Sequence, residues 1–237
     1  MDLWMNWCID RKTRLPRIWS NKELKKFASY FKGHVVNVSA WKDEDKQGCR
    51  YRDYFSSATN YSLTNYLPEA RGLQEGLDDQ IFLNLEGDLP VDLKNKFDVV
   101  FNHSVLSHVF ECVKAFDNLC AMSSDIVIVV IPFLQHQQSA YGDYWRFTPE
   151  VVNKLFKKNN MELLYINYND GSNQFIYIFA IASKNPDKWQ MIKNHPDNHK
   201  DNLTDKVGYA VIRQRLLFHI MVFAGRIFKK IKSLLRF

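Results

Sequence analysis

The chain has 237 residues, 46% of them hydrophobic and 24% charged, with a formal net charge of +6. That length suits one α/β domain with a sizeable core plus an appendage, and the composition excludes a disordered chain. The charge is uneven: from Lys206 onward there are eight Lys or Arg and no Asp or Glu, so the preceding body holds 24 basic and 26 acidic groups and gives no general reason to expect nucleic-acid binding.

Met1–Arg14 lacks the long apolar run of a signal peptide. Ser20-Asn21-Lys22-Glu23 reads as a capping box, with Trp19 and Leu24 as its hydrophobic staple. Leu24, Phe27, Ala28 and Phe31 then recur at helical spacing, and Gly33 suits the stop. Val35, Val36 and Val38 mark a first strand over 34–40, followed by a charged loop through Gly48 and a short helix over 51–58. Residues 61–66 and 80–85 read as the second and third strands, and the run between them, with Pro68, Gly72 and Gly76, as a loop.

Phe97–His103 is the fourth strand, and Val109, Val113, Phe116 and Cys120 mark the next helix. The unbroken apolar run in 125–132 predicts a fifth strand covered on both faces. Thr148-Pro149-Glu150 opens a helix, with Thr as N-cap and Pro at the first helical position. Residues 161–168 and 174–182, with a turn at Asn169-Asp170-Gly171, predict an antiparallel pair because no connecting helix fits between them. The four cysteines include no C-x-x-C pair and no nearby His completes a zinc pattern, so no metal site is expected; they read as reduced thiols, Cys112 and Cys120 in the core.

Two neighbouring strands that end in polar loops make a crevice where open α/β sheets bind ligands. The ordered set Phe97-Asp98, Leu106-Ser107-His108, Pro132 and Asp143-Tyr144-Trp145-Arg146-Phe147-Thr148 resembles class I S-adenosylmethionine (SAM) dependent methyltransferases, over roughly residues 16–184. It looks most like the methyltransferase-like proteins of bacterial surface-polysaccharide loci. The resemblance implies a Rossmann-like, mostly parallel sheet with an antiparallel last strand and helices on both faces. It divides the chain into an N-terminal helical segment (1–33), the methyltransferase-like domain (34–184), a polar linker (185–209) and a C-terminal helix (210–237).

The resemblance also places the cofactor, SAM, against Asn37, Ser39, Ala40 and Trp41 after strand 1, Asn65 after strand 2, Asn84 after strand 3, and Asn102 and His103 after strand 4. Ser39 stands where the family has its first Gly; Ser and Ala are the next smallest residues, so the turn can still be close if φ stays negative. Asn65 stands where the family has an acidic ribose ligand, so Asn65→Asp is expected to tighten binding. Methylation of a hydroxyl requires removal of a proton. His136 is the expected base, with Asp143 and Arg146 binding the acceptor and His103 and His108 as other candidate bases. Tyr141, Tyr144 and Trp145 could stack on a sugar; alternatively an Asp143–Arg146 pair fixes the loop with Trp145 in the core.

In the tail, Leu216, Ile220, Phe223, Ile227, Ile231 and Leu234 share one helical face, and Arg226, Lys229, Lys230, Ser233 and Arg236 the other. Such a helix suits an anionic membrane surface or a protein partner. The sequence thus predicts a cytoplasmic enzyme, peripheral on the inner membrane face, that O-methylates a sugar hydroxyl of a cell-surface or lipid-linked glycan. The alternative is a catalytically inactive scaffold of the same fold.

Overall fold

The computed structural model describes residues 15–66, 80–138, 142–170, 175–203 and 207–234. Cys8, Pro68, Gly72, Gly76, Tyr141 and Gly171 lie outside them, as does most of the predicted loop between the second and third strands.

Among the described residues, seven strands form one sheet: β1 (Gly33–Val38), β2 (Ala58–Asn65), β3 (Gln80–Phe82), β4 (Phe97–His103), β5 (Ser123–Leu134), β6 (Glu162–Tyr168) and β7 (Ile176–Ser183). Their order is β3-β2-β1-β4-β5-β7-β6. Strands β1 to β5 pair in parallel, and β7 inserts antiparallel between β5 and β6. Gly33 opens β1 at φ 82, and a Cβ there would sit 2.1 Å from the Asp98 carboxylate, so only glycine fits.

Side chains alternate across the sheet. On one face, α2 (Cys112–Met122) and α3 (Pro149–Lys158) cover Val36, Val38, Val100, Val127 and Val129. The Phe116 and Phe156 rings, 4.8 Å apart, join these two helices. Thr148 caps α3 as expected, its Oγ1 accepting the Val151 N–H at 3.2 Å. On the other face, α1 (Leu15–Phe27) covers Val35, Val99, Phe101, Ile126 and Ile128. Cys112 and Cys120 are buried, and burial raises both thiol pKa values.

The expected capping box at Ser20 does not form, because α1 is already helical from Leu15. The polar side chains of that turn face inward instead. The Ser20 hydroxyl donates to the Arg17 carbonyl at 3.0 Å. Asn21 Nδ2 donates to the Asp45 carbonyl at 3.0 Å, and Glu23 accepts from the Tyr165 hydroxyl at 2.6 Å. These bonds fix α1 across the sheet from the loop after β1 to β6. The short helix predicted over 51–58 is a single 3-10 turn, Tyr51–Tyr54, after which the chain enters β2 at Ala58.

Residues 185–203, within the predicted polar linker, lie against the sheet. They form 3-10 turns around the short helix α4 (Gln190–Lys193) and bind the outer edge of β6. The Ile166 N–H donates to Asn198 Oδ1 at 3.1 Å, and the His199 N–H donates to the Ile166 carbonyl at 2.9 Å. This segment satisfies backbone groups that an edge strand leaves open. The last helix, α5 (Tyr209–Leu234), has 26 residues and leaves Leu216, Ile220, Phe223 and Ile227 exposed. No helix among the described residues is long and apolar enough to cross a membrane.

Candidate active site

The strand order reverses between β1 and β4, which makes a topological switch point at their carboxyl ends. A cleft of about 480 Å³ opens there, within the roughly 300–1,000 Å³ range of small-molecule sites. Its walls come from α1 (Arg17), the loop after β1 (Ser39, Ala40, Trp41), the ends of β2 and β3 (Asn65, Asn84), and the ends of β4 and β5 (His103, Ser104, Gln135).

The loop after β1 turns sharply through left-handed residues. Ser39 has φ 55 and Trp41 φ 52, so the turn does not meet the condition of negative φ at Ser39 and is close through left-handed backbone instead. Such conformations cost a non-glycine residue about 1–2 kcal/mol, and bonds from the sheet hold them in place. The Ser39 N–H donates to Thr64 Oγ1 at 3.1 Å, and the Ala40 N–H to the Thr64 carbonyl at 3.0 Å. Asn65 Oδ1 accepts the Trp41 N–H at 2.7 Å, while its Nδ2 donates to the Trp41 carbonyl and to Gln80 Oε1. Asn37 Nδ2 donates to the buried Asp43 carboxylate at 2.7 Å, and burial raises the Asp43 pKa. Lys46 sits 4.3 Å from the Trp41 ring centroid and braces it from outside.

At the end of β4 several buried polar atoms have no partner among the described residues: Asn102 Oδ1, His103 Nδ1, Ser104 Oγ and Ser107 Oγ. A buried polar atom left unpaired costs about 1–3 kcal/mol, so this strand end is built to meet a polar ligand. Asn102 itself lies beneath the cleft, its Nδ2 bound to the Val38 carbonyl at 3.0 Å. Arg17 reaches the cleft from α1 and donates to the Tyr51 hydroxyl at 3.0 Å; among the described residues it makes no ion pair.

The structure thus gathers Asn37, Ser39, Ala40, Trp41, Asn65, Asn84 and His103 around one cleft. The three residues expected to act on the acceptor sit elsewhere. His136 follows β5 and packs on Phe175 at 4.9 Å between ring centroids, outside the cleft lining. Asp143 and Arg146 grip each other through two bonds, of 2.5 and 2.7 Å, and Asp143 also accepts the Gln138 N–H. The Arg146 guanidinium holds the Asp143 carboxyl below the usual carboxylate range. Trp145 is exposed rather than in the core, with its Nε1–H on the Phe110 carbonyl at 2.9 Å. The sequence gives no site role to Arg17, Ser20, Tyr51 and Tyr177, which come together only because α1 packs over the face of the sheet that β4 and β7 share, with β5 between them. The run of inward polar residues in α1 was their one trace in the sequence.

No family model and no curated protein matches the chain. Solved structures do. The protein assigned as a methyltransferase in complex with the Haloferax volcanii Trm112 methyltransferase activator superposes with a TM-score of 0.54 at 11% identity, over 77% of this chain and 95% of that one. A protein of Bacillus halodurans, also assigned as a methyltransferase, gives 0.51 at 8% identity, over 69% and 97%. The trans-methyltransferase CalH, solved with S-adenosylhomocysteine, gives 0.50 at 13% identity, over 70% and 57%. The fold is therefore that of the class I SAM-dependent methyltransferases, with the antiparallel strand that the resemblance implied.

Proposed function

We propose that this protein is a SAM-dependent methyltransferase acting on a sugar hydroxyl of a glycan or glycan precursor. The observation that carries the reading is the clamped, left-handed Ser39–Trp41 turn. It bends the backbone at the switch-point cleft although the glycines usual in this fold are missing. The unpartnered polar atoms on 102–104 fit a ligand as rich in hydrogen-bonding groups as SAM. Backbone of Ser39–Trp41 would hold its methionine end, Asn84 would meet the adenine, and the Arg17 cation would meet its carboxylate. The group supplies a methyl already activated by a sulfonium.

The C-terminal helix supports a reading at a membrane surface. Its exposed Leu216, Ile220, Phe223 and Ile227 and its excess of basic residues suit an anionic lipid surface, where a lipid-linked acceptor would be held. Calorimetry with SAM and S-adenosylhomocysteine on the full chain tests the central claim. Saturable one-site binding is expected, and no heat at millimolar ligand overturns it. A second reading, an inactive scaffold of this fold, is favoured by Trp41, a bulky residue on the cleft wall where the fold usually has a small one. Binding of SAM without transfer to any glycoside would support it.

A further inference from the structure

The walls of the cleft differ in charge. Among the described residues, its Lys, Arg, Asp and Glu side chains are Arg17, Glu44, Lys46 and Glu86, and they come from α1 and from the loops after β1 and β3. The ends of β4 and β5 and the start of β7 contribute none. That wall instead carries Gln135, Gln138 and Tyr177, all half-buried and open to the cleft. Strand register brings two of them together. The antiparallel pairing of β5 and β7 sets Tyr177 opposite Pro132 and Ile176 opposite Leu134, so Gln135 leaves β5 beside the start of β7. The Tyr177 hydroxyl lies 3.5 Å from Gln135 Oε1, longer than the roughly 2.5–3.0 Å of a formed O–H···O bond. Gln135 Nε2 and the Gln138 side-chain amide make no hydrogen bond among the described residues. Gln138 is held by its backbone, its N–H donating to the Asp143 carboxylate at 2.8 Å. Three polar side chains thus meet the cleft with their hydrogen-bonding groups unspent.

We propose that Gln135, Gln138 and Tyr177 recognise the acceptor, and that the acceptor they select is an uncharged sugar ring. The inference rests on the methyl-transfer reading above and deepens it by naming the class of sugar. These three side chains take the role that His136, Asp143 and Arg146 do not fill, since those residues pack or pair elsewhere. A side-chain amide offers two N–H donors and a carbonyl acceptor, and a phenol both donates and accepts. A sugar hydroxyl also does both, so each finds its complement in this wall. A carboxylate or phosphate only accepts. It would set a negative charge against Gln135 Oε1 and lose its water with no Lys or Arg of this wall to receive it, because Arg17 is engaged by the cofactor carboxylate in that reading. An ammonium group only donates, and this wall holds no carboxylate for it. The wall therefore discriminates by what it lacks as well as by what it offers.

Ligand-observed NMR on the full chain, with and without S-adenosylhomocysteine, provides the test. The probes are methyl α-D-glucopyranoside and methyl α-D-mannopyranoside, each beside its uronate, and methyl α-D-glucosaminide. At least one neutral glycoside is expected to bind the S-adenosylhomocysteine complex, about tenfold or more tighter than its charged counterpart, because the charged ring leaves polar groups of the wall unpaired. Gln135→Ala and Tyr177→Phe are each expected to weaken that glycoside about three- to tenfold. Their affinity for S-adenosylhomocysteine, by calorimetry, and their Tm are expected to match wild type. A uronate or glucosaminide that binds as tightly as the neutral ring overturns the proposal, as does unchanged glycoside affinity in both variants. Wild type that binds S-adenosylhomocysteine but no neutral probe overturns the proposal and leaves the methyl-transfer reading standing. Wild type that binds a neutral probe but not S-adenosylhomocysteine overturns that reading and keeps the sugar site. Binding of neither overturns both.

Discussion

Asn65 binds both backbone groups of Trp41: its Oδ1 accepts the Trp41 N–H at 2.7 Å and its Nδ2 donates to the Trp41 carbonyl at 3.2 Å. The same Nδ2 donates to Gln80 Oε1 at 2.8 Å. An amide can do this and a carboxylate cannot, because a carboxylate has no hydrogen to give. Asn at this position therefore serves the shape of the cofactor loop, and the ribose contact implied by the resemblance would have to share its one remaining lone pair.

Asn65→Asp is expected to destabilise the fold, not to improve the site. It removes two donated bonds and buries a charge, at a cost of about 1–3 kcal/mol read from the urea midpoint. If the Asn65→Asp protein is as stable as wild type and binds SAM more tightly, the ribose role is restored.

Ser39→Gly is expected to stabilise. Ser39 holds φ 55, which glycine adopts without strain, and its N–H bond to Thr64 Oγ1 survives the change. Relief of strain, offset in part by the freer unfolded chain, should leave a gain of about 0.5–1 kcal/mol and a higher Tm. A lowered Tm would mean that the Ser39 hydroxyl contributes something beyond its backbone.

The pair of Asp143 and Arg146 should show in the acid limb of stability. The folded carboxyl titrates below its unfolded value of about 3.9. Its contribution is therefore fully present above about pH 4 and lost as pH falls through the lowered folded pKa. Arg146→Ala should raise the Asp143 pKa, followed by ¹³C carboxyl titration, and flatten that limb. A titration curve unmoved by the substitution would show that the Gln138 N–H alone sets the shift.

Ending the chain before Tyr209 keeps the Gly208 N–H bond to Asp170 and removes seven Lys or Arg, leaving 25 basic and 26 acidic groups. The shortened protein should fold, because the sheet and its covering helices are complete by then. Co-sedimentation with vesicles rich in phosphatidylserine should fall, and for the full chain it should weaken as salt rises. Equal sedimentation of both forms would rule out the lipid-surface role.

The repeating strands and their connections were legible from the sequence because burial on both faces demands continuous apolar runs, as in β4 and β5, and because Thr148-Pro149 punctuates a helix start locally. The antiparallel β6–β7 pair followed from chain length alone, since no crossover helix fits between them. The place of the cleft was legible too, as the loops after the predicted strands meet at the switch point. What the side chains do there was not. Ser20 reads locally as a cap, and only its depth in the packed interface of α1 and β4 makes it the partner of His103. Asn65 reads as a weakened ribose ligand until the register of β2 brings Trp41 within reach of its amide. His136, read from its place after β5, turns onto Phe175 instead of the cleft. Sequence period fixes which face a residue takes, because that depends on local backbone geometry. Which partner meets a polar side chain depends on contacts between segments 24 to 83 residues apart, and those exist only once the sheet has closed.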